Sequence, residues 1–275
     1  MIGKENMITK RATRTCLKMN SIQFKKAIVK TPGHSIANGI TTSNLGNPDY
    51  KKALRQHRKY IEALKNCGLE VTIMPAEEKF PDSTFIEDCA VLTEKCAIIT
   101  NLGVKSRKGE EVSVHEVLKK YYTNIVNIKE PGKLEGGDTL RVNDHFYIGL
   151  TKRTNILGAN QLIEILKKFG YTGSTILVEK MLHLKSGIAY LGENNMILAG
   201  ELIDNPAFKK FNKIIINDDE SYAANCIRVN NYVIIPAGYK KSKNAIIETG
   251  YKVKEVDVSE FRKIDGGVSC LSLRF

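Results

Sequence analysis

Apolar residues in this chain recur at two spacings. Short, nearly unbroken runs such as Ala27-Ile28-Val29 give way, after a polar loop, to stretches in which apolar side chains return every three or four residues. The clearest stretch covers 49–67, where Tyr50, Leu54, His57, Ile61 and Leu64 share one helical face. Asp49, following Pro48, is placed to cap that helix, and Gly68 to end it. Residues 69–73 then read as a strand. The same order returns with a strand at 96–100, a helix at 111–122 and a strand at 125–128. It returns again at 146–148, 155–169 and 174–178. A shorter copy follows, with a strand at 196–199, a helical piece at 206–211 and a strand at 213–216. The last has a strand at 232–235, a helix at 242–249 and a strand at 252–258. The chain therefore reads as five strand–loop–helix–strand units.

Each unit opens on a strand with little polar alternation, which predicts burial on both faces. Two α/β architectures accommodate that. One is a doubly wound parallel sheet, since strands alternate with helices; no Gly-x-Gly-x-x-Gly follows any strand to support it. The other is a radial arrangement, in which loops from all five units meet at the centre.

The 275 residues suffice for one large domain or two small ones. With 42% hydrophobic and 26% charged residues, the chain reads as globular with a real core, and no stretch is long and apolar enough to span a bilayer. The first twenty residues carry Lys4, Lys10, Arg11, Arg14 and Lys18 without an apolar segment, which argues against a secretory leader. We read 1–21 as a disordered basic extension, or as sequence preceding a start at Met7 or Met19, with a transit peptide the weaker reading; a single domain is expected over 22–275. Six scattered cysteines without a Cys-x-x-Cys pair, and five histidines without ligand spacing to them, predict a reduced cytoplasmic protein with no structural zinc or other cofactor. A net charge of +12 raises nucleic acid as a partner. The positive residues are spread along the whole chain and no basic–aromatic cluster offers a stacking platform, so a lysine-rich solvated surface is the expectation.

Chemistry concentrates in five places. Cys270 follows Asp265-Gly266-Gly267 and sits among small neighbours, as a reactive thiol with close backbone approach would require. Phe80-Pro81-Asp82-Ser83-Thr84-Phe85-Ile86-Glu87-Asp88 carries three carboxylates on a turn entering a strand. Alone it reads as an exposed acidic turn; gathered at one point, those charges call for a cation. Leu134-Glu135-Gly136-Gly137-Asp138 lets two carboxylates aim at one place. His183, in Leu182-His183-Leu184-Lys185, becomes an acid/base candidate if a thiol and a carboxylate lie beside it. Arg107 and Arg153 stand in loops after strands and can grip a carboxylate. Together these groups fit a ligand with a cationic end and a carboxylate end, as in arginine-like amino acids.

Six motifs in order carry a family resemblance: Phe-Pro-Asp-Ser-Thr-Phe-Ile-Glu-Asp, Leu-Glu-Gly-Gly-Asp, Lys-Arg-Thr-Asn, Leu-His-Leu-Lys, Ser-Tyr-Ala-Ala-Asn-Cys and the closing Asp-Gly-Gly-Val-Ser-Cys. From about Phe24 to Phe275 the chain resembles the guanidino-group-modifying superfamily of arginine deiminases and amidinotransferases, and within it the bacterial-type dimethylarginine dimethylaminohydrolases. The resemblance implies a five-bladed α/β propeller (the pentein fold), hydrolysis of methylated arginines to citrulline, and a homodimer. It implies Cys270 as nucleophile, His183 as acid/base and Glu135 as the carboxylate orienting the histidine. Glu87 and Asp88 would surround the guanidinium, and Arg107 and Arg153 would hold the substrate carboxylate. Asp82, with the carbonyls of Ile40 and Ile264, would take the α-amino group, beneath a mobile lid at 35–46. Arginine deiminases carry an acidic residue two positions after the histidine; Lys185 stands there in this chain, which weakens the case for unmodified arginine.

Overall fold

A computed structural model describes residues 22–275; the expected N-terminal extension over 1–21, and Cys16 with it, lies outside the described residues. The first unit comprises β1 (Lys26–Lys30), α1 (Tyr50–Asn66) and β2 (Glu70–Met74). The second has β3 (Ala90–Leu92), β4 (Ala97–Ile99), α2 (Glu110–Leu118) and β5 (Ile125–Asn127). The third has β6 (Thr139–Val142), β7 (His145–Leu150), α3 (Ile156–Lys168) and β8 (Thr172–Leu177). In the fourth, β9 (Ile188–Gly192), β10 (Asn195–Ala199) and β11 (Asn212–Ile216) are joined without an α-helix. The fifth has β12 (Ile227–Val229), β13 (Tyr232–Pro236), α4 (Lys240–Glu248) and β14 (Lys252–Val256), and it leads through α5 (Ser259–Arg262) to β15 (Leu273–Arg274).

The result is five three-stranded sheets of one design. A middle strand pairs antiparallel with the strand before it and parallel with the strand after the crossover, as in β3-β4-β5 and β6-β7-β8. The first sheet borrows its antiparallel strand from the far end of the chain, with Ala27 opposite Arg274 and Ile28 opposite Leu273. That pairing joins the first unit to the last.

Alternation along the middle strands explains why they read as unbroken apolar runs. Successive side chains leave a strand on opposite faces. Ile28 packs toward the second unit, while Ala27 and Val29 pack toward the fifth. Ile98 meets the third unit and Ala97 and Ile99 the first. Phe146 and Ile148 meet the second, and Tyr147 the fourth. Five separate apolar cores result, one between each pair of neighbouring units and one between the fifth and the first. Every middle strand is thus sandwiched, and the sequence of interfaces closes on itself.

Local signals hold where the chain decides its own structure. The Asp49 carboxylate accepts from the Lys52 N–H at 2.6 Å, and Asn155 caps α3 through the Gly158 N–H at 2.8 Å. Gly68 adopts φ +92 past the end of α1. The helix expected over 111–122 stops at Leu118 instead. There Tyr121 and Tyr122 turn back so that both rings pack on Phe275, at 5.2 and 5.5 Å between centroids. The helical piece at 206–211 is only a 3₁₀ turn, Pro206–Phe208, which the Asn205 side chain caps by accepting from the Ala207 N–H.

Truncating a residue at one of these interfaces tests the sandwich. Ile148 is fully buried between the second and third units. Ile148→Ala is expected to lower stability by about 2–5 kcal/mol, read from the urea midpoint at unchanged slope. A loss well under that range would mean that the interface is loose.

Candidate active site

Before its first strand, each sheet is entered by a short 3₁₀ turn. These turns are Ile86–Cys89, Gly136–Asp138, Leu184–Ser186, Asp218–Ala224 and Ser269–Leu271. Glu87 and Asp88 lie in the first, Glu135 just before the second, His183 just before the third, Asn225 just after the fourth and Cys270 in the last. Repetition of the unit therefore delivers chemistry-bearing residues to one place from all five sheets. Glycine permits the turns to close on one another: a Cβ on Gly136 would stand 2.0 Å from the Glu87 carbonyl oxygen, and one on Gly137 would stand 2.8 Å from an Asp88 oxygen and 2.9 Å from the His183 ring.

A cavity with about 20 Å³ of free space lies among these turns, lined by Cys270, His183, Asp88, Asp82, Arg107, Arg153, Ile40 and Ile264, together with Phe85, Leu182, Asp265 and Gly266. Glu135 sits behind the histidine, its Oε2 at 2.7 Å from His183 Nε2, while its Oε1 accepts from the Gly103 N–H at 3.0 Å. Burial opposes charge on the imidazole, but Asp88, Asp138 and Glu135 outweigh it and push the pKa up to about 9. Asp88 is held down at about 2: burial works against its ionisation, and His183, Arg107 and the Gly137 N–H overcome it. Cys270 behaves oppositely, with burial and then the Glu87 and Asp88 charges pushing the thiol up to about 12. It is nevertheless the one cysteine among the described residues that is not fully buried.

Two expected residues have partners that change their part. Arg107 lines the cavity but is spent inside the protein. Its Nη1 donates to Asp88 at 2.7 Å, its Nε and Nη2 grip Glu110, and Nη2 also reaches the Phe85 carbonyl. It can meet a substrate carboxylate only by giving up one of these pairs; Arg153, bound only loosely to Glu135 at 3.5 Å, is freer. Glu87 does not line the cavity with Cys270. It turns to the other side of the turns, where Lys185 and Arg274 also lie. Asp82 accepts from the Ile40 N–H at 3.0 Å, and burial raises its pKa against the nearby Arg107.

The segment at 35–46 folds over the cavity. Thr41 and Ser43 hydroxyls donate to the Lys263 carbonyl at 2.8 Å, and the Thr42 N–H donates to Asp265 at 2.6 Å. Asp88, Glu135 and His183 offer ligand atoms within 4.8 Å of one another, a spacing that could hold a metal. All three groups are already engaged, Asp88 with Arg107, and His183 and Glu135 with each other.

Motif reading left three contributors without a role. Asp138 is fully buried; it accepts from the Leu184 N–H at 2.9 Å and so fixes the backbone beside His183. Asn225 accepts from the Ser269 N–H at 2.9 Å. Ser269 donates to Glu87 at 2.8 Å. All three lie in or next to the turn that precedes a unit's first strand, and that regularity was the signal available.

Comparison with known proteins agrees with this geometry. The family model described as N,N dimethylarginine dimethylhydrolase, eukaryotic, matches residues 46–273. The N(G),N(G)-dimethylarginine dimethylaminohydrolase of Pseudomonas aeruginosa is 53% identical over 253 residues, covering 92% of this chain and 100% of that protein. Its namesake from Streptomyces coelicolor is 33% identical over 91% of this chain and 96% of its own length. The solved Pseudomonas enzyme, as a cysteine-to-serine variant complexed with citrulline, superposes with a TM-score of 0.92 at 51% identity, covering 92% of this chain and all of that one. The N-terminal domain of cyanobacterial ArgZ, an arginine dihydrolase, shares the fold at 19% identity, with a TM-score of 0.82 over 90% of this chain and 97% of that one. By sequence, by fold and by the length matched, this chain belongs to the dimethylarginine dimethylaminohydrolase family.

Proposed function

We propose that this chain hydrolyses Nω,Nω-dimethyl-L-arginine to L-citrulline and dimethylamine, and the monomethyl form to citrulline and methylamine. The chain is a C–N hydrolase acting on the guanidino group. The observation that carries this reading is the juxtaposition of an accessible thiol, an imidazole backed by a buried carboxylate, and Asp88, in one cavity. Residues 22–275 form the catalytic unit, with the five sheets set radially as a five-bladed α/β propeller; the closed series of interfaces supports that arrangement. The scattered free cysteines support a cytoplasmic enzyme, and the family resemblance supports a homodimer.

Cys270 supplies the nucleophile. In the empty site almost no thiolate exists at neutral pH, given a pKa near 12. A guanidinium entering beside Asp88 brings the missing positive charge and lowers the cost of the thiolate, and the thiol proton is released to solvent as substrate binds. The sulfur adds to the central guanidinium carbon. Collapse of that adduct expels dimethylamine, to which protonated His183 gives a proton, and leaves a thiouronium on Cys270. The now neutral His183 takes a proton from water, whose oxygen adds to the same carbon. Departure of the sulfur regenerates the thiol and frees citrulline. Proton transfer of this kind contributes about 10²–10⁴ in rate. Glu135 acts through the histidine, keeping it oriented and charged. Arg153 suits the substrate carboxylate, Arg107 joins it only by leaving Asp88 or Glu110, and Asp82 with the carbonyls of Ile40 and Ile264 suits the α-amino end. The small free space requires the 35–46 segment to lift for entry.

Preference for methylated guanidines has its own support. Lys185, in the position where deiminases carry an acid, donates to Glu87 at 2.7 Å and stays out of the Cys270 cavity. The acid that grips the terminal nitrogens in deiminases is then missing, which favours nitrogens that carry methyl groups over the unmodified ones. The alternative, an arginine deiminase-like hydrolase of arginine or another guanidine, predicts the reverse preference.

Citrulline release from dimethylarginine, monomethylarginine, arginine and agmatine should favour the methylated substrates, with arginine slow; a preference for arginine would select the alternative. Cys270→Ser should bind dimethylarginine without turning it over, and appreciable residual turnover would remove the cysteine from its role. The kcat/KM–pH profile should fall as pH rises through about 9, where His183 of the free enzyme loses its proton. Replacing Glu135 by Gln removes a group that raises this pKa, so the falling limb should move to lower pH; an unmoved limb would sever Glu135 from the histidine.

A further inference from the structure

Glu87 is one of the most constrained side chains in the molecule, and the mechanism above gives it no step. It is 3% exposed. Its Oε1 accepts from Lys185 at 2.7 Å and from Arg274 at 3.3 Å, and its Oε2 accepts from the Ser269 hydroxyl at 2.8 Å. These four residues come from three parts of the chain, so one carboxylate ties together the second unit, the fourth and the C-terminal segment that carries Cys270. Glu87, Lys185, Ser269 and Arg274 all line a second cavity of about 570 Å³, which does not include Cys270. Glu87 therefore stands in the partition between the two spaces.

Ser269 immediately precedes the nucleophile, and its hydroxyl oxygen is 3.9 Å from Cys270 Sγ. The rest of the turn is held just as firmly. Asn225 accepts from the Ser269 N–H, Tyr60 donates its hydroxyl to the Val268 carbonyl at 3.0 Å, and Arg274 donates to the Ser272 carbonyl at 3.0 Å. Rotation of the Ser269 hydroxyl is the remaining freedom beside the sulfur, and the Glu87 carboxylate removes it.

We infer that Glu87 is a positioning residue: held by Lys185 and Arg274, it anchors the Ser269 hydroxyl and through it sets the place and the environment of the Cys270 thiol. It is not a direct ligand of the guanidinium. Lys185 has a second part in this arrangement beyond keeping acid away from the substrate, because without its charge Glu87 would be a buried anion facing the sulfur with only Arg274 opposing it.

Two substitutions act on the thiol. Glu87→Gln removes a negative charge that disfavours the thiolate, and Ser269→Ala removes an oxygen that, with its proton given to Glu87, can only accept from the thiol and so favours the protonated form. The other groups around the sulfur stay as they are: Asp88 and His183 in the cavity, Tyr60 and Tyr222 behind the turn, and Arg274 beside Ser272.

The experiment is the pH dependence of Cys270 alkylation by iodoacetamide in the free enzyme, with Cys270→Ser as background, beside kcat and KM for dimethylarginine. The midpoint should move to lower pH in Glu87→Gln and in Ser269→Ala. Each variant should lose about tenfold in kcat with KM changed by no more than about twofold, and the double variant should lose much less than the product of the two. A rise of about tenfold in KM for Glu87→Gln, with kcat and the alkylation profile unmoved, would make Glu87 a substrate ligand and overturn the inference. Fully multiplicative losses in kcat would do the same. Ser269→Ala deletes one buried hydroxyl and keeps the test open if Glu87→Gln does not fold. The kcat and KM readouts rest on the function proposed above, whereas alkylation needs no substrate. Inert wild-type enzyme with both alkylation shifts present would therefore fault that function and leave the positioning role standing.

Discussion

Burying a carboxylate costs several kcal/mol unless cations or donors meet it, and the centre of this fold buries Glu87, Asp88, Glu110, Glu135 and Asp138 together. Everything else at the site follows from how those charges are matched. Arg107 is placed between Asp88, Glu110 and Glu135, with contacts of 2.7, 2.8 and 3.9 Å. His183 is the cation for Glu135, and Lys185 with Arg274 are the cations for Glu87. Backbone N–H groups from Gly137, Gly103 and Leu184 satisfy further carboxylate oxygens. The matching is incomplete: burial still lifts Glu110 to about 7 despite the guanidinium beside it, and it raises Asp138 as well. A centre so rich in carboxylates is poised to accept one more cation, and a guanidinium is such a cation.

Sequence reading fared best where the chain decides structure locally. Asp49, Gly68 and Asn155 announced the ends of α1 and the start of α3, and the apolar runs announced every middle strand and every parallel partner. The opening strands β3, β6, β9, β12 and β15 went unread. They have between two and five residues, and each directly follows a polar turn that breaks any alternation. Those same turns hold the functional groups, so one fact explains both outcomes. The site was legible as motifs because the turns are chemically unusual, and the strands behind them were hidden for the same reason.

Side-chain direction was the part that motifs could not supply. Glu87 and Asp88 are adjacent, and the sequence offers no reason to separate their roles. In a 3₁₀ turn, neighbouring side chains point about a third of a revolution apart. Asp88 therefore faces the Cys270 cavity and Glu87 the opposite space. Arg107 presents the same difficulty in another form. A motif can say that an arginine is present, but whether it greets a ligand or neutralises a buried acid depends on carboxylates brought in from Glu110 and Glu135, three and twenty-eight positions away.

The state of the thiol connects the charge balance to catalysis. A cysteine kept near 12 by burial, Glu87 and Asp88 is protected from adventitious electrophiles, since only the thiolate is strongly nucleophilic. On the proposed mechanism Asp88, which helps to suppress the thiolate, also attracts the guanidinium, and the guanidinium relieves the suppression. His183 needs no such relief: Asp88, Asp138 and Glu135 keep it cationic at neutral pH against the effect of burial, so on the proposed mechanism the proton for the leaving amine is in place before substrate arrives. On that reading one set of buried carboxylates holds the proposed nucleophile off and the proposed acid ready. Reducing the negative charge of Asp88 would free the thiol only by weakening the pull on the substrate and the protonation of the histidine. That trade-off explains why so much acid is worth burying in so small a space.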